Sequence, residues 1–281
     1  MNEEFIKDIK EYQFLTKVPN NGPTTKFLDS LYSALLEKEK QGHQLVVNAM
    51  PKSGSTYLTH LLRSLTKYHE VVFHLPMQNS EPTMFYHFLI DLYNKNYVMH
   101  HHYKASAYHI FMYNKFNIKP IILTRNIYDV VLSFTDSVKT GKHDPFGGWL
   151  TFFPPEFKTW DEQKQFEMTL DMVIPWYMFF YLSWYYANKI NNEIEVLWIT
   201  YEELVTNDLN TLKKICDFYK IQKTDEEILN IINIVNQNKA KTRFNKGLIG
   251  RGQKILSEEQ KNTIKEKTLY YPNVDFSAIG L

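Results

Sequence analysis

The chain has 281 residues, a net charge of +1, 44% hydrophobic residues and 15% aromatic residues. This length fits one large α/β domain or at most two, with enough apolar side chains for a substantial core. The balanced charge provides no global basic field, which argues against nucleic acid or an anionic membrane as the partner. The single cysteine, Cys216, excludes an internal disulfide and suits a reducing compartment.

The N-terminal residues are charged and lack the apolar core of a signal peptide, so we expect a cytoplasmic protein. The most apolar stretch, residues 174–186, is too short to span a bilayer and is interpreted as a buried aromatic helix. Neither a repeat nor a low-complexity linker interrupts the sequence. We therefore predict a single domain over residues 1–281.

The hydrophobic periodicity predicts strands and helices in alternation, which is typical of a parallel sheet with helices on both faces. The expected fold class is therefore α/β, with three layers and a central parallel sheet. The predicted strands cover 45–50, 71–74, 97–103, 119–125 and 195–201, and the predicted helices cover 25–40, 54–68, 82–95, 105–117, 127–139, 165–190 and 208–238.

Ligands of such sheets bind beyond the carboxyl ends of the strands. Met50, His102, Arg125 and Tyr201 all lie at or just past predicted strand ends. The sequence thus predicts that they converge on one site.

The clearest motif in the chain is Pro51–Thr56, a glycine turn between a strand and a helix. Backbone N–H groups and the helix dipole favour an anion there, and Lys52 with the hydroxyls of Ser53, Ser55 and Thr56 surrounds the same point. A Walker loop has its Lys directly after the second Gly, whereas Lys52 precedes the only glycine, Gly54. The motif indicates a phosphate site that fits an ATPase poorly, although a plain strand–helix turn remains an alternative.

Arg125 ends a predicted strand, and Ser133 lies two helical turns further along the chain. The two side chains could hold a second phosphate, the Arg through its planar fork of donors. Asp129 could instead pair with Arg125 or cap the helix, and an Arg at a strand end is often only a surface ion-pair partner.

Three consecutive histidines, His100–His102, end the third predicted strand. Strand alternation sends His100 and His102 to one face and His101 to the other. A general base, a structural histidine and a metal ligand are all open, but no Cys, Asp or Glu at ligand spacing completes a metal site. We therefore predict a site without a metal.

The C-terminal run 242–260 combines three glycines with Arg243, Lys246, Arg251 and Lys254. Glycines let backbone amides approach an anion closely, so this loop could bind phosphate, while a solvated basic loop is the alternative. Ser257 with the acidic residues after it predicts a helix N-terminus.

Taken in order, four segments resemble the sulfotransferases that use 3′-phosphoadenosine 5′-phosphosulfate. Residues 51–56 (PKSGST) resemble the 5′-phosphosulfate loop, 124–133 (TRNIYDVVLS) the 3′-phosphate segment, 244–250 (FNKGLIG) the C-terminal glycine loop, and 201–204 (YEEL) a weaker element. Together the matches extend over residues 44–255. The resemblance implies a P-loop-like nucleotide-binding core and transfer of a sulfuryl group without a metal.

The resemblance also implies roles for individual residues. Lys52 would stabilise the leaving 5′-phosphate, and His102 would be the catalytic base, with a neighbouring histidine as an alternative. The other implied nucleotide contacts are Ser53, Gly54, Ser55 and Thr56 on the 5′-phosphate, Tyr57 and Tyr201 at the adenine, and Arg125, Ser133, Lys246 and Gly247 on the 3′-phosphate.

The chain departs from the family pattern in its C-terminal loop. Asn245 stands where the family has Arg, so Arg251 or Arg243 is expected to contribute to the 3′-phosphate grip. The run GRG at 250–252 resembles bacterial small-molecule members.

The expected acceptor is the hydroxyl or amine of a small molecule, such as a secondary metabolite. Residues 75–95 and 136–170 would form its pocket and lid, with Trp149, Phe152, Phe153 and Trp160 either in the lid or in the core. The oligomeric state is open, with a homodimer as one option. Two rival functions are a small-molecule kinase and a nucleotide-binding module without catalysis.

Overall fold

The computed structural model describes residues 42–71, 83–84, 86–140, 153–237 and 248–281. Several predicted features lie outside these ranges: the helix at 25–40, Trp149, Phe152, Arg243 and the predicted phosphate contacts Asn245, Lys246 and Gly247.

The chain divides into two compact units. The smaller unit is Met1–His43 with Phe85–Asn96, and its described part contains helix α2 (Tyr86–Leu92). Within it, the backbone N–H of His43 donates to Asn96 Oδ1 at 2.8 Å. The larger unit is Gln44–Met84 with Tyr97–Leu281, and it contains the sheet. That the chain is a single domain stays a prediction.

The larger unit is built around a five-stranded sheet in which every pairing is parallel. The strands are β1 (Gln44–Ala49), β2 (His69–Glu70), β3 (Tyr97–His101), β4 (Ile121–Thr124) and β5 (Leu197–Thr200), in the spatial order β2-β3-β1-β4-β5. All six residues of β1 are buried, as expected for the central strand of a sheet covered on both faces. The predicted α/β class is confirmed.

The remaining helices connect and cover the strands. They are α1 (Ser55–Thr66), α3 (Ala107–Lys115), α4 (Ile127–Lys139), α5 (Glu162–Met172), α6 (Ile174–Tyr185), α7 (Tyr201–Thr206), α8 (Asp208–Tyr219), α9 (Asp225–Gln237), α10 (Arg251–Ile255) and α11 (Glu258–Glu266). Ser257 caps α11 in a capping box with Gln260, as the sequence predicts.

Two element predictions need correction. A short strand lies at His69–Glu70, before the predicted strand 71–74; Val71 is not in a strand, and 72–74 lie outside the described residues. The helix predicted over 165–190 is two helices, because Pro175 in the first turn of α6 has no N–H and clashes with a continuing helix. A π-helical turn, Tyr186–Ile190, follows α6.

One face of the sheet packs on α1, whose buried leucines recur at helical spacing. The leucines are Leu58, Leu61, Leu62 and Leu65, and they join apolar side chains of β1, α8 and α9 in one cluster. Phe153 is also buried, against Phe134 and Phe157, so the core alternative holds for this residue. Among the residues described, none of the helices combines the length and the apolarity that a membrane crossing requires.

Candidate functional site

In the loop between β1 and α1, three consecutive backbone carbonyl groups accept hydrogen bonds from side chains of the protein. The carbonyl of Met50 accepts from the Ser53 hydroxyl, that of Pro51 accepts from Tyr177 Oη at 3.0 Å, and that of Lys52 accepts from Arg125 Nη1 at 3.0 Å. In a trans peptide the N–H points away from the C=O, and no described peptide is cis. The Lys52 N–H therefore points away from Tyr177.

Helix α1 begins without a side-chain cap. Its N-cap residue is Gly54, with φ +87°, and the first turn contains no acidic residue. The first N–H groups of a helix have no partner inside the helix, so an uncapped start attracts anions. The loop and the helix start together have a geometry that suits an anion, and anion binding at Pro51–Thr56 stays a prediction.

Lys52 is held in the left-handed region, with φ +69°, and its Nζ donates to Ser137 Oγ of α4 at 3.3 Å. This contact fixes the ammonium group beside the loop. Ser137 was not foreseen, although it lies one helical turn after the predicted Ser133 and on the same side of α4.

Arg125, one residue past β4, connects the loop to the C-terminal segment. Its Nη1 donates to the Lys52 carbonyl, and its Nη2 donates to the Leu248 carbonyl at 3.0 Å. The side chain is 11% exposed, and its Nε–H is buried without a hydrogen-bond partner among the described residues. A buried unpaired donor on a cation is costly.

Tyr201, the first residue of α7, lies between Arg125 and Gly54. The Arg125 guanidinium is 4.2 Å from the centre of its ring, a cation–π distance. A Cβ on Gly54 would meet the same ring at 2.8 Å, so only glycine fits against it. Burial raises the pKa of the Tyr201 hydroxyl, and Arg125 acts in the opposite direction.

Asp129 contacts Arg125, which was one of the alternatives. Its Oδ2 lies 3.6 Å from Arg125 Nη2, and its two oxygens accept the N–H groups of Gly250 and Gly252 at the start of α10. Arg251, predicted to bind phosphate, forms an ion pair with Asp136 of α4.

His102 follows β3, beside the last residue of β1. Its Nδ1 is 2.7 Å from the Ala49 carbonyl oxygen. A carbonyl can only accept, so Nδ1 carries the proton, and in a neutral ring Nε2 is the nitrogen with the lone pair. The arrangement suits a general base.

The other two histidines have different surroundings. His100 Nδ1 lies 3.2 Å from Thr59 Oγ1 and 3.9 Å from Glu70 Oε1. His101 is buried and stacks on Tyr103 with ring centres 4.5 Å apart. The predicted alternation of faces is therefore seen.

Some side chains that were predicted to contact the nucleotide are buried or hydrogen-bonded to other parts of the protein. The Ser53 hydroxyl is buried and donates to backbone carbonyls of Met50 and Leu123. Tyr57 is 4% exposed and belongs to the same apolar cluster as the leucines of α1. Its hydroxyl donates to Asn236 of α9 at 3.0 Å. Ser55 is buried, whereas Thr56 and Ser133 are half-buried. Their nucleotide contacts stay predictions.

Within the described part of the chain, no three His, Cys, Asp or Glu side chains are grouped so that they could hold a metal ion.

The fold is that of an α/β protein, with a loop and an uncapped helix start at the carboxyl end of a parallel sheet. The family model of the sulfotransferase domain matches residues 43–267, most of the chain. The chain therefore belongs to the sulfotransferase family and is an enzyme of that class. A search of curated proteins finds no significant match.

Solved sulfotransferase structures share the fold. The mouse sulfotransferase SULT7A1, complexed with PAP, is 18% identical with a TM-score of 0.60, covering 88% of this chain and 90% of that chain. Retinol dehydratase, in complex with androsterone and the inactive cofactor PAP, is 13% identical with a TM-score of 0.52, covering 83% and 82%.

Proposed function

We propose that the protein transfers the sulfuryl group of 3′-phosphoadenosine 5′-phosphosulfate to a hydroxyl or amine of a small molecule such as a secondary metabolite. The observation that carries this proposal is the hydrogen bond from His102 Nδ1 to the Ala49 carbonyl. In this proposal His102 is the base, and the hydrogen bond orients its ring beside the strand end from which the Lys52 loop begins. A protein that only binds the nucleotide needs no such base.

The residues of the site fit a nucleotide with two phosphate groups. The uncapped start of α1 suits the 5′-phosphate, and the guanidinium of Arg125, whose Nη1 contacts the Lys52 carbonyl of the same loop, suits a second anion. PAP, adenosine 3′,5′-bisphosphate, is bound by both solved relatives described above. Lys246 and Gly247 would complete the 3′-phosphate contact, with Ser133 and Asn245 beside it.

The chemistry follows from these roles. The donor supplies an activated sulfuryl group; the acceptor oxygen or nitrogen bonds to sulfur while the bond from sulfur to the phosphate oxygen breaks. His102 Nε2 takes the acceptor proton, a contribution of about 10²–10⁴-fold. Lys52 Nζ and the loop N–H groups stabilise the charge on the departing phosphate, by roughly 10²–10³-fold for a key donor.

Adenine would lie near Tyr201, whose ring is already positioned by Arg125 and Gly54. For Tyr57 we propose a supporting role, because its ring belongs to the core cluster. We also propose that residues 1–281 form a single domain and that the protein is cytoplasmic.

The test is a thermal-shift comparison of adenosine 3′,5′-bisphosphate, 5′-AMP and ATP with Mg²⁺. A ligand present at 100 times its Kd stabilises the folded state by about 2.7 kcal/mol. We expect the bisphosphate to raise the melting temperature most. A second experiment then measures sulfate transfer from labelled donor to a panel of acceptors. Stabilisation by ATP with Mg²⁺ alone would favour the kinase alternative, and nucleotide binding with no transfer to any acceptor would favour the binding module.

A further inference from the structure

The carboxylate of Asp129 has no exposed surface and lies where three parts of the site meet. Oδ2 accepts the Gly250 N–H at 2.8 Å, and Oδ1 accepts the Gly252 N–H at 2.6 Å. Oδ2 also faces Arg125 Nη2 at 3.6 Å. Each oxygen thus holds a backbone amide of the C-terminal segment.

The segment fits closely at this point. Gly250 has φ +72°, and a Cβ on Gly252 would lie 2.3 Å from the backbone carbonyl carbon of Tyr128, at the start of α4. Residues with side chains therefore cannot replace Gly252 without moving the segment. The start of α10 is fixed in one register against α4.

Arg125 adds a third attachment to the same segment, since its Nη2 donates to the Leu248 carbonyl. Arg125 and Asp129 therefore hold residues 248, 250 and 252 through one carbonyl and two amides.

We propose that Asp129 is a positioning residue for recognition of the 3′-phosphate. It orients Arg125 and fixes the start of α10 beside it, so that the guanidinium is held in place for the anion. This inference rests on the proposed function, and it assigns to Asp129 the discrimination between nucleotides with and without a 3′-phosphate.

A carboxylate is required because both of its oxygens accept from backbone amides. Asn has nearly the same shape, but its NH₂ would face one of the two amide donors. Asn is also neutral, so the negative charge that balances Arg125 is lost. Asp129→Asn therefore removes the function of the group with little change in volume.

The experiment measures Kd for adenosine 3′,5′-bisphosphate and for 5′-AMP by titration calorimetry. We expect Asp129→Asn to weaken bisphosphate binding by about 10- to 100-fold, the range for a lost charge-assisted contact, and 5′-AMP binding by less than about 3-fold. The control is Asp225→Asn, which removes a carboxylate and its ion pair with Lys213 on α8, and should change neither Kd.

An unchanged ratio of the two Kd values in Asp129→Asn would overturn the inference. If the wild-type protein itself does not prefer the bisphosphate, the proposed function fails and this inference fails with it. The two failures are therefore distinguishable.

A measurement on the wild-type protein covers the case in which Asp129→Asn does not fold. Hydrogen exchange of residues 248–256 should become slower with the bisphosphate and change little with 5′-AMP. Equal protection by both ligands, or by neither, would contradict the role of Asp129.

Discussion

At the residue scale, the three consecutive histidines have different surroundings. His102 contacts a carbonyl with Nδ1, His100 lies beside Thr59 and Glu70, and His101 is buried against Tyr103. The carbonyl beside His102 can only accept, so its Nδ1 carries the proton. The sequence predicts His102 as the base with a neighbouring histidine as the alternative, and this assignment stays a prediction.

Replacing His102 by Ala should lower kcat by about 10²–10⁴-fold, because the proton acceptor is lost. His100→Ala should retain most of the activity, because His100 contacts Thr59 and lies near Glu70 instead of Ala49. Steady-state sulfate transfer checks both variants, with circular dichroism to verify folding. Near-normal turnover in His102→Ala would contradict the assignment.

Two glycines with positive φ provide a matched pair for stability. Gly54→Ala and Gly250→Ala each place an L side chain in the left-handed region, which lowers the free energy of unfolding by roughly 1–2 kcal/mol. A Cβ on Gly54 also meets the Tyr201 ring, whereas one on Gly250 meets nothing within 4 Å. Gly54→Ala should therefore lower the free energy of unfolding by about 1–3 kcal/mol more than Gly250→Ala does, because overpacking adds to the strain.

Urea denaturation followed by tryptophan fluorescence measures this difference. Equal losses in the two variants would mean that the Tyr201 ring moves aside easily, and that the close contact with Gly54 is not a constraint on the loop.

At the element scale, the start of α1 acts as a fixed positive pole. It has no capping side chain and no acidic residue in its first turn. An ordinary surface helix is usually capped by Ser, Thr, Asp or Asn, so the missing cap leaves donors for a ligand.

Thr56→Asp places a carboxylate in this first turn. We expect it to raise the free energy of unfolding by about 0.3–1 kcal/mol through the helix dipole, and to weaken binding of adenosine 3′,5′-bisphosphate by at least about tenfold through repulsion. Thr56→Asn has the same shape without the charge, so it should retain much more affinity. Calorimetry and urea denaturation measure the two effects, and unchanged affinity in Thr56→Asp would mean that the phosphate binds elsewhere.

The strands β1, β3, β4 and β5 could be predicted from the sequence because strand and helix periodicity are local, whereas the two-residue strand β2 is too short to give such a pattern. The convergence at the strand ends also follows from a general property of parallel sheets. The contacts that fix the loop could not be predicted, since Tyr177 lies 126 residues from Pro51, and Ser137 lies 85 residues from Lys52. Such pairings depend on the packing of α6 and α4, which no local pattern specifies.

At the scale of the whole molecule, Cys216 reports on global unfolding. It is the only cysteine, it lies in the core cluster, and burial raises its pKa to about 11. A thiol of this kind is neither ionised at neutral pH nor accessible.

Labelling of Cys216 by a thiol reagent should therefore be slow in the native protein and complete in urea. Adenosine 3′,5′-bisphosphate should slow native labelling further, by a factor of about 1 + [L]/Kd, because it binds only the folded state. Fast labelling without denaturant would show local opening of α8 instead. A labelling rate independent of the bisphosphate would argue against binding.

The inward carbonyls of Met50, Pro51 and Lys52 have a consequence for protein engineering. Their partners, Ser53, Tyr177 and Arg125, come from the loop itself, from α6 and from the end of β4. A graft of the hexapeptide Pro51–Thr56 onto a foreign strand–helix junction would transfer the residues but lose two of these three donors. A transplant intended to create an anion site would need the equivalents of Tyr177 and Arg125 as well.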